Sequence, residues 1–142
     1  MVSMEAFEIY AANHDIYVMD FVLKLDAYSY YMMNLLDYLT GNTDRHWGNW
    51  GFLVDNRTNQ PVRLFDLMDL NQTFLAYDTI EGANCMTTGN RKISQREAAV
   101  EAVKIIGLNQ RNEIKDEWFK GREKEREMFW CRFGILKEQW KA

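Results

Sequence analysis

Proline is almost missing from this 142-residue chain, and cysteine is scarce. Pro61 stands alone, so little in the sequence forbids long helices. Two cysteines, Cys85 and Cys131, are too few for a disulfide framework, and neither belongs to a CxxC pair. Idle thiols in a reducing cytoplasm are the expectation. No glycine precedes Gly41, which excludes a glycine-rich phosphate cradle from the first 40 residues. No uncharged stretch approaches the ~20 residues that span a bilayer, and no basic segment leads into an apolar run. A soluble, cytoplasmic protein without membrane contact is expected.

What is present suits one globular domain over residues 1–142. The chain is 47% hydrophobic and 14% aromatic, enough to bury a single core. Charge is uneven: residues 1–55 carry a net of −6, residues 56–90 a net of −2, and residues 91–142 a net of +4. The basic third still interleaves both signs in "KDEWFKGREKEREMFW", as a solvated helix does. Direct binding of nucleic acid through it is therefore not expected.

Periodicity predicts helices over residues 3–12 and about 15–40. In the second, Val18, Phe21, Val22, Leu25, Tyr28, Met32, Leu35, Leu36 and Leu39 recur at helical spacing. Asp15 can cap its start and Gly41 its end, and a break near Asp26 would divide it. "WGFLV" and "PVRLF", separated by the turn-rich "DNRTNQ", predict a hairpin. Residues 70–93 read as irregular. Ser94 opens a helix with Glu97 placed for a capping box, and Gly107 stops it. A last helical stretch runs from about 109 to 140, with Gly121 or Gly134 as candidate interruptions. The fold class is mainly α (α+β) with one β-hairpin.

Chemistry-bearing residues gather where the long helix ends and the hairpin begins, in "GNTDRHWGNWGFLVDNRTNQPVRLFDLMDLNQTF". Phosphoryl transfer needs positioning and neutralised charge more than covalent help. Asp44 is a loop acid able to hold an attacking hydroxyl. Asn49, five residues on, can offer an oxygen to a metal from the same loop. An acid beyond the hairpin returns beside that loop, and Mg²⁺ asks for only one or two carboxylates plus phosphate and water. Asp66 and Asp69 compete for that place. Asp69-Leu70-Asn71 is the better match to Asp-Phe-Gly, with Asp66 as the alternative. Asp44 and His46 are the candidate catalytic residues. Taken singly, each has a plainer reading: Asp or Asn in turns are commonly caps, His46 a structural histidine, and Arg45 half of an ion pair.

"YYMMNLLDYLTGNTDRHWGNWGFLVD" together with "FDLMDLNQTF" resembles the catalytic core of HipA-like bacterial kinases, distant relatives of phosphatidylinositol 3- and 4-kinases. The resemblance covers roughly residues 28–75, and N-x-D-R-H-x-x-N is its specific part. It implies a protein-kinase-like C-lobe, ATP and Mg²⁺ as cofactors, and phosphorylation of a protein Ser/Thr, in some cases within a toxin–antitoxin pair. Asp44 would be the base, and Asn49 and Asp69 would bind Mg²⁺. A kinase also needs a strand-rich lobe with a Gly-rich loop and a strand Lys. The only Lys before the loop is Lys24, within an apolar helical pattern. The N-lobe is therefore expected to be absent and the chain inactive without one. The expected partners are a separate N-lobe or an antitoxin. The alternative is a non-catalytic binding module that keeps the fold.

Overall fold

A computed structural model of the chain describes residues 1–68, 70, 73, 74, 79–108 and 114–141. The elements follow in the order β1 (Val2–Ser3), α1 (Met4–Ala12), α2 (Val18–Thr40), β2 (Gly51–Val54), β3 (Pro61–Leu64) and α3 (Gln95–Ile106). A 3₁₀ turn (Asp116–Phe119) and α4 (Glu123–Lys141) close the chain. About half of the described residues are helical. The protein is thus mixed α/β, with four helices and a three-stranded antiparallel sheet of order β1-β2-β3 among the described residues.

The single hairpin expected from the sequence is corrected to this three-stranded sheet. β2 and β3 do form the hairpin, pairing Phe52 with Leu64 and Leu53 with Arg63, with an irregularity at Val54. Two further residues join on the other side, Val2 opposite Phe52 and Ser3 opposite Gly51. So short a strand carries no alternation to read. Its trace is Gly51: a Cβ there would lie 2.1 Å from the Val2 carbonyl oxygen. Only glycine lets the two backbones approach this closely.

Helix ends explain much of the layout. Ser3 caps α1, its Oγ accepting from the Ala6 N–H at 3.1 Å. The next orphan donors of α1, the Met4 and Glu5 N–H groups, reach the Trp50 and Trp47 carbonyls at 2.9 Å each. The first turn of α1 is thereby fastened to the loop before β2. Asp15 does not cap α2. It sits in a left-handed turn (φ 53°), and α2 starts at Val18 after Tyr17, which offers no side-chain cap. The break at Asp26 is real: its backbone is non-helical (φ −157°, ψ 68°). Asp26 Oδ1 accepts from the Ser29 N–H at 3.2 Å, capping the second half of α2. Gly41 ends α2 at φ 65°. Ser94 caps α3 through the Glu97 N–H. The chain breaks at Gly121 and runs through Gly134 as continuous helix.

Just past the kink, burial departs from the predicted stripe, although Leu35 and Leu39 further on are buried as expected. Tyr28, expected on the apolar stripe, is 58% exposed, whereas Tyr30, Met33 and Tyr38 are buried. Past Asp26 the helix is covered nearly all round, by α3, β3 and α4. The aromatic rings of Phe7, Phe21 and Phe52 pack edge-on or tilted between α1, α2 and β2. Arg132 of α4 is fully buried, 4.6 Å from the centre of the Tyr38 ring, and donates to the Tyr38 and Thr79 carbonyls. At the start of α4, Arg122, just before the helix, pairs with Glu125, and Arg126 pairs with Glu123, in line with a solvated charged helix. No helix among the described residues is long and apolar enough to cross a membrane.

Two buried tyrosines make stability sensitive to alkali. Tyr30 donates to the Thr87 carbonyl and Tyr38 to that of Ile80. Burial, above all other influences, pushes both hydroxyls up to about 12. In the unfolded chain they ionise near pH ~10. Folding free energy that is fully present below that value is lost as the pH rises towards 12. The urea midpoint should therefore fall over this window. Tyr30→Phe should flatten the fall, and absorbance at the phenolate band should show Tyr30 and Tyr38 among the tyrosines titrating late, with Tyr31, also raised by burial, beside them.

Candidate functional site

The loop between α2 and β2 is built on one buried ion pair. Asp37 lies in the last turns of α2 and Arg45 in the loop; their side chains are 5% and 3% exposed. Arg45 Nε donates to Asp37 Oδ2 at 2.9 Å and Nη2 to Oδ1 at 3.1 Å, a two-pronged bond. Arg45 Nη1 spans two further carbonyls, Asn49 at 3.0 Å and Met68 at 2.7 Å. One guanidinium therefore joins the end of α2, the end of the loop and the segment leaving β3. The plain reading of Arg45 as half of an ion pair is correct, and the pair is structural.

Asn42 extends the frame. Its Nδ2 donates to Asp37 Oδ1 at 3.0 Å, and its Oδ1 accepts from the Asp44 N–H at 3.2 Å. Gln95, the first residue of α3, donates to the Asn42 carbonyl at 2.6 Å. Asn42 and Gln95 are both buried, so every polar atom here needs its partner.

On this frame the sequence candidates fall into two groups. Asp44 is exposed, and its carboxylate makes no hydrogen bond or ion pair among the described residues. Its backbone is held on both sides, by Asn42 at the N–H and by Asn49 Nδ2 at the carbonyl, 2.6 Å away. Asn49 is buried, and its Oδ1 accepts from the His46 N–H at 3.0 Å. A carbonyl oxygen has a second lone pair, so Asn49 can brace the loop and still face a metal. His46 is exposed; its Nδ1 accepts from the Gly48 N–H at 3.0 Å. That bond places the ring proton on Nε2 and gives His46 a role within the turn.

Asn49 also lines a solvent-open cavity of about 250 Å³, together with Trp50, Tyr28, Ser29, Arg63 and Asp66. Asp66 is exposed and pairs with Arg63 at 3.0 Å. Asn49 and Asp66 are thus brought to one concavity, whereas Asp44 and His46 do not line it. Asp69, with Asn71, lies outside the described residues. Among the described residues no group of three or more His, Cys, Asp or Glu could hold a metal. Asn49 and Asp66, which line the same cavity, carry hard oxygen ligands. They fit Mg²⁺, which keeps several waters and takes the rest of its shell from phosphate.

Asp37, Asn42, Gln95 and Arg63 did not stand out in the sequence. Asp37 had a signal: an acid between Leu36 and Leu39, inside an apolar pattern where an unpaired charge is costly. Gln95 had none. No protein-family model, curated protein or solved structure matches the chain.

Breaking the ion pair from one side leaves a buried charge alone, which costs about 3–5 kcal/mol. Arg45→Ala should lower the unfolding free energy by about that much, measured by urea denaturation. Asp44→Ala, at an exposed and unpaired side chain, should change it by less than ~0.5 kcal/mol.

Proposed function

We propose that this chain is the base-and-metal lobe of a HipA-like Ser/Thr protein kinase. The observation that carries the reading is the divided use of one loop: Asp37, Asn42, Arg45 and Asn49 fix its backbone, while the Asp44 carboxylate is left unengaged. A general base needs a lone pair within reach of the proton it takes, and an unengaged carboxylate on a fixed backbone offers one. In the proposed reaction a substrate hydroxyl oxygen attacks the terminal phosphorus of ATP. The bond from that phosphorus to the ADP oxygen breaks, and the hydroxyl proton passes to Asp44. Asn49, with Asp69 or Asp66, would hold Mg²⁺, which when bound neutralises charge on the phosphates. Asp69 is the better match to the sequence pattern, and Asp66 lines the same cavity as Asn49. His46 shapes the turn through Gly48 and carries no proton transfer in this scheme.

A second reading, a non-catalytic module that binds an antitoxin or another partner, draws on two observations. The cavity, at about 250 Å³, falls below the ~300–1,000 Å³ common for sites of drug-sized ligands. Its rim also exposes Tyr28 and Phe65, apolar surface of the kind that partners cover.

The kinase reading predicts that the lone chain binds Mg-ATP weakly or not at all. Nothing among the described residues supplies a lysine to the cavity, and an open, wet site weakens each electrostatic contact. Supplied in trans with a strand-rich lobe bearing a Gly-rich loop and a strand Lys, it should transfer radiolabel from ATP to protein. Asp44→Ala should abolish that transfer and Asp44→Asn should not restore it. Transfer that survives Asp44→Ala would sink the assignment of the base.

A further inference from the structure

A second cavity opens between α1, the start of α2 and the β2–β3 hairpin. Its volume is about 500 Å³, inside the ~300–1,000 Å³ usual for sites that take small molecules. Tyr10, Ile16, Phe21 and Val54 line it and keep part of their surface open to solvent. Behind them Phe7 and Phe52 are buried. Phe7 lies against the Tyr10 ring at 5.9 Å and the Phe21 ring at 5.0 Å, and Phe52 against Phe21 at 5.6 Å. Tyr10 is also stacked on His14, with ring centres 3.9 Å apart. Two aromatic walls are therefore held in place before any ligand arrives, which lowers the cost of binding one.

The hairpin turn supplies the polar part of the lining, through Asn59 and Gln60. Their backbones are tied to Asp55, whose carbonyl accepts the Asn59 N–H at 2.8 Å and whose N–H donates to the Gln60 carbonyl at 3.0 Å. Their side-chain amides bond nothing among the described residues. Each of these amides carries both donors and an acceptor. No charged side chain lines the cavity among the described residues.

We infer that this cavity binds a small, uncharged aromatic molecule with a carboxamide-like edge, its ring against Tyr10 and Phe21 and its edge on the amides of Asn59 and Gln60. Each property of the ligand answers one of the lining. An aromatic ring matches the Tyr10 and Phe21 walls, since rings gain from tilted or offset contact beyond the area they bury. An ion would leave water for a wall that holds no opposite charge, and that desolvation goes uncompensated. A plain hydrocarbon would cover the Asn59 and Gln60 amides and strand their donors and acceptors. A group that both donates and accepts satisfies them. The cavity shares no lining residue with the one that holds Asn49 and Asp66, and Asp44 does not line it. This site therefore stands or falls independently of the kinase reading.

The test titrates the full chain with benzamide and follows the side-chain amide resonances of Asn59 and Gln60. Benzoate and cyclohexanecarboxamide are the comparison probes. Benzamide should move both resonances to saturation. Benzoate, its charged counterpart, should bind roughly tenfold more weakly or worse. Cyclohexanecarboxamide keeps the amide but not the aromatic face and should also bind more weakly. Asn59→Gly removes one amide and keeps the turn, because Asn59 has a left-handed backbone (φ 56°) that glycine adopts freely. It should weaken benzamide roughly two- to tenfold. Ala6→Leu fills the cavity from an exposed helical position and should abolish binding. Both substitutions are at exposed residues, so the folded core is left as it is. Unmoved resonances with benzamide, benzoate binding as tightly as benzamide, or an Ala6→Leu variant binding like the wild type overturns the proposal. Resonances that shift on dilution of the protein alone also overturn it, because a second copy of the chain then occupies the cavity.

Discussion

Everything near the candidate site depends on the two-pronged contact between Asp37 and Arg45. It is a charge pair sealed from water, so its members cannot exchange partners for solvent without large cost. Its geometry is also specific: the planar guanidinium fits the carboxylate edge-on and still has N–H groups for the Asn49 and Met68 carbonyls. A hydrophobic pair of the same volume could fill the space. It could not bond two carbonyls from segments 19 residues apart and thereby set how the loop and the post-β3 segment lie against each other. The pair is better understood as a register device than as a source of stability.

The frame around it reaches most of the fold. Asn42 passes the contact from Asp37 to Gln95 and so to the start of α3, and Gln95 Oε1 in turn accepts from the Ala83 N–H. One turn earlier on α2, Asn34 accepts from Thr87 Oγ1 at 2.5 Å. A polar seam therefore runs along one side of a helix that is otherwise packed in apolar surface. Fully satisfied seams of this kind rigidify, because any displacement strands a donor or acceptor in a low-dielectric interior. Rigidity in the frame is what allows Asp44 to remain exposed and unpaired. A carboxylate steadied by its own contacts would be less available for chemistry, whereas here the backbone holds still and the side chain is left alone.

How much of this could be read in advance divides along physical lines. Local signals held: the Ser94 cap, Gly41 in left-handed backbone, the turn between β2 and β3, and the break at Asp26 are all properties of a few neighbouring residues. The cluster Asp44, Arg45, His46, Asn49 was visible as a loop rich in functional groups. Long-range facts were not visible. Pairing of Val2–Ser3 with β2 depends on a close approach at Gly51 that two residues cannot announce. Tyr28 was misplaced, two residues past the kink at Asp26, while Leu35 and Leu39 further along the same stripe are buried as expected. The sequence favoured Asp69 over Asp66 on its match to Asp-Phe-Gly, and Asp69 lies outside the described residues.

The kink itself is best explained by the strand beside it. Asp26 caps the second half of α2 with one oxygen and accepts the Leu64 N–H with the other, at 3.0 Å. That second bond covers the outer edge of β3, where Pro61 has no N–H to offer in any case. A straight helix could not present a carboxylate in this way, because a helical Asp26 would direct its side chain along the helix surface rather than cap the next turn. Breaking the helix thus joins α2 to β3 at one point. On one side of that joint lie Tyr28 and Ser29, on the other Arg63 and Asp66, and the cavity is the space between them. The position of the candidate metal ligand is therefore fixed twice: Asp26 holds the strand that carries it, and Arg45, through Met68, holds the segment that follows.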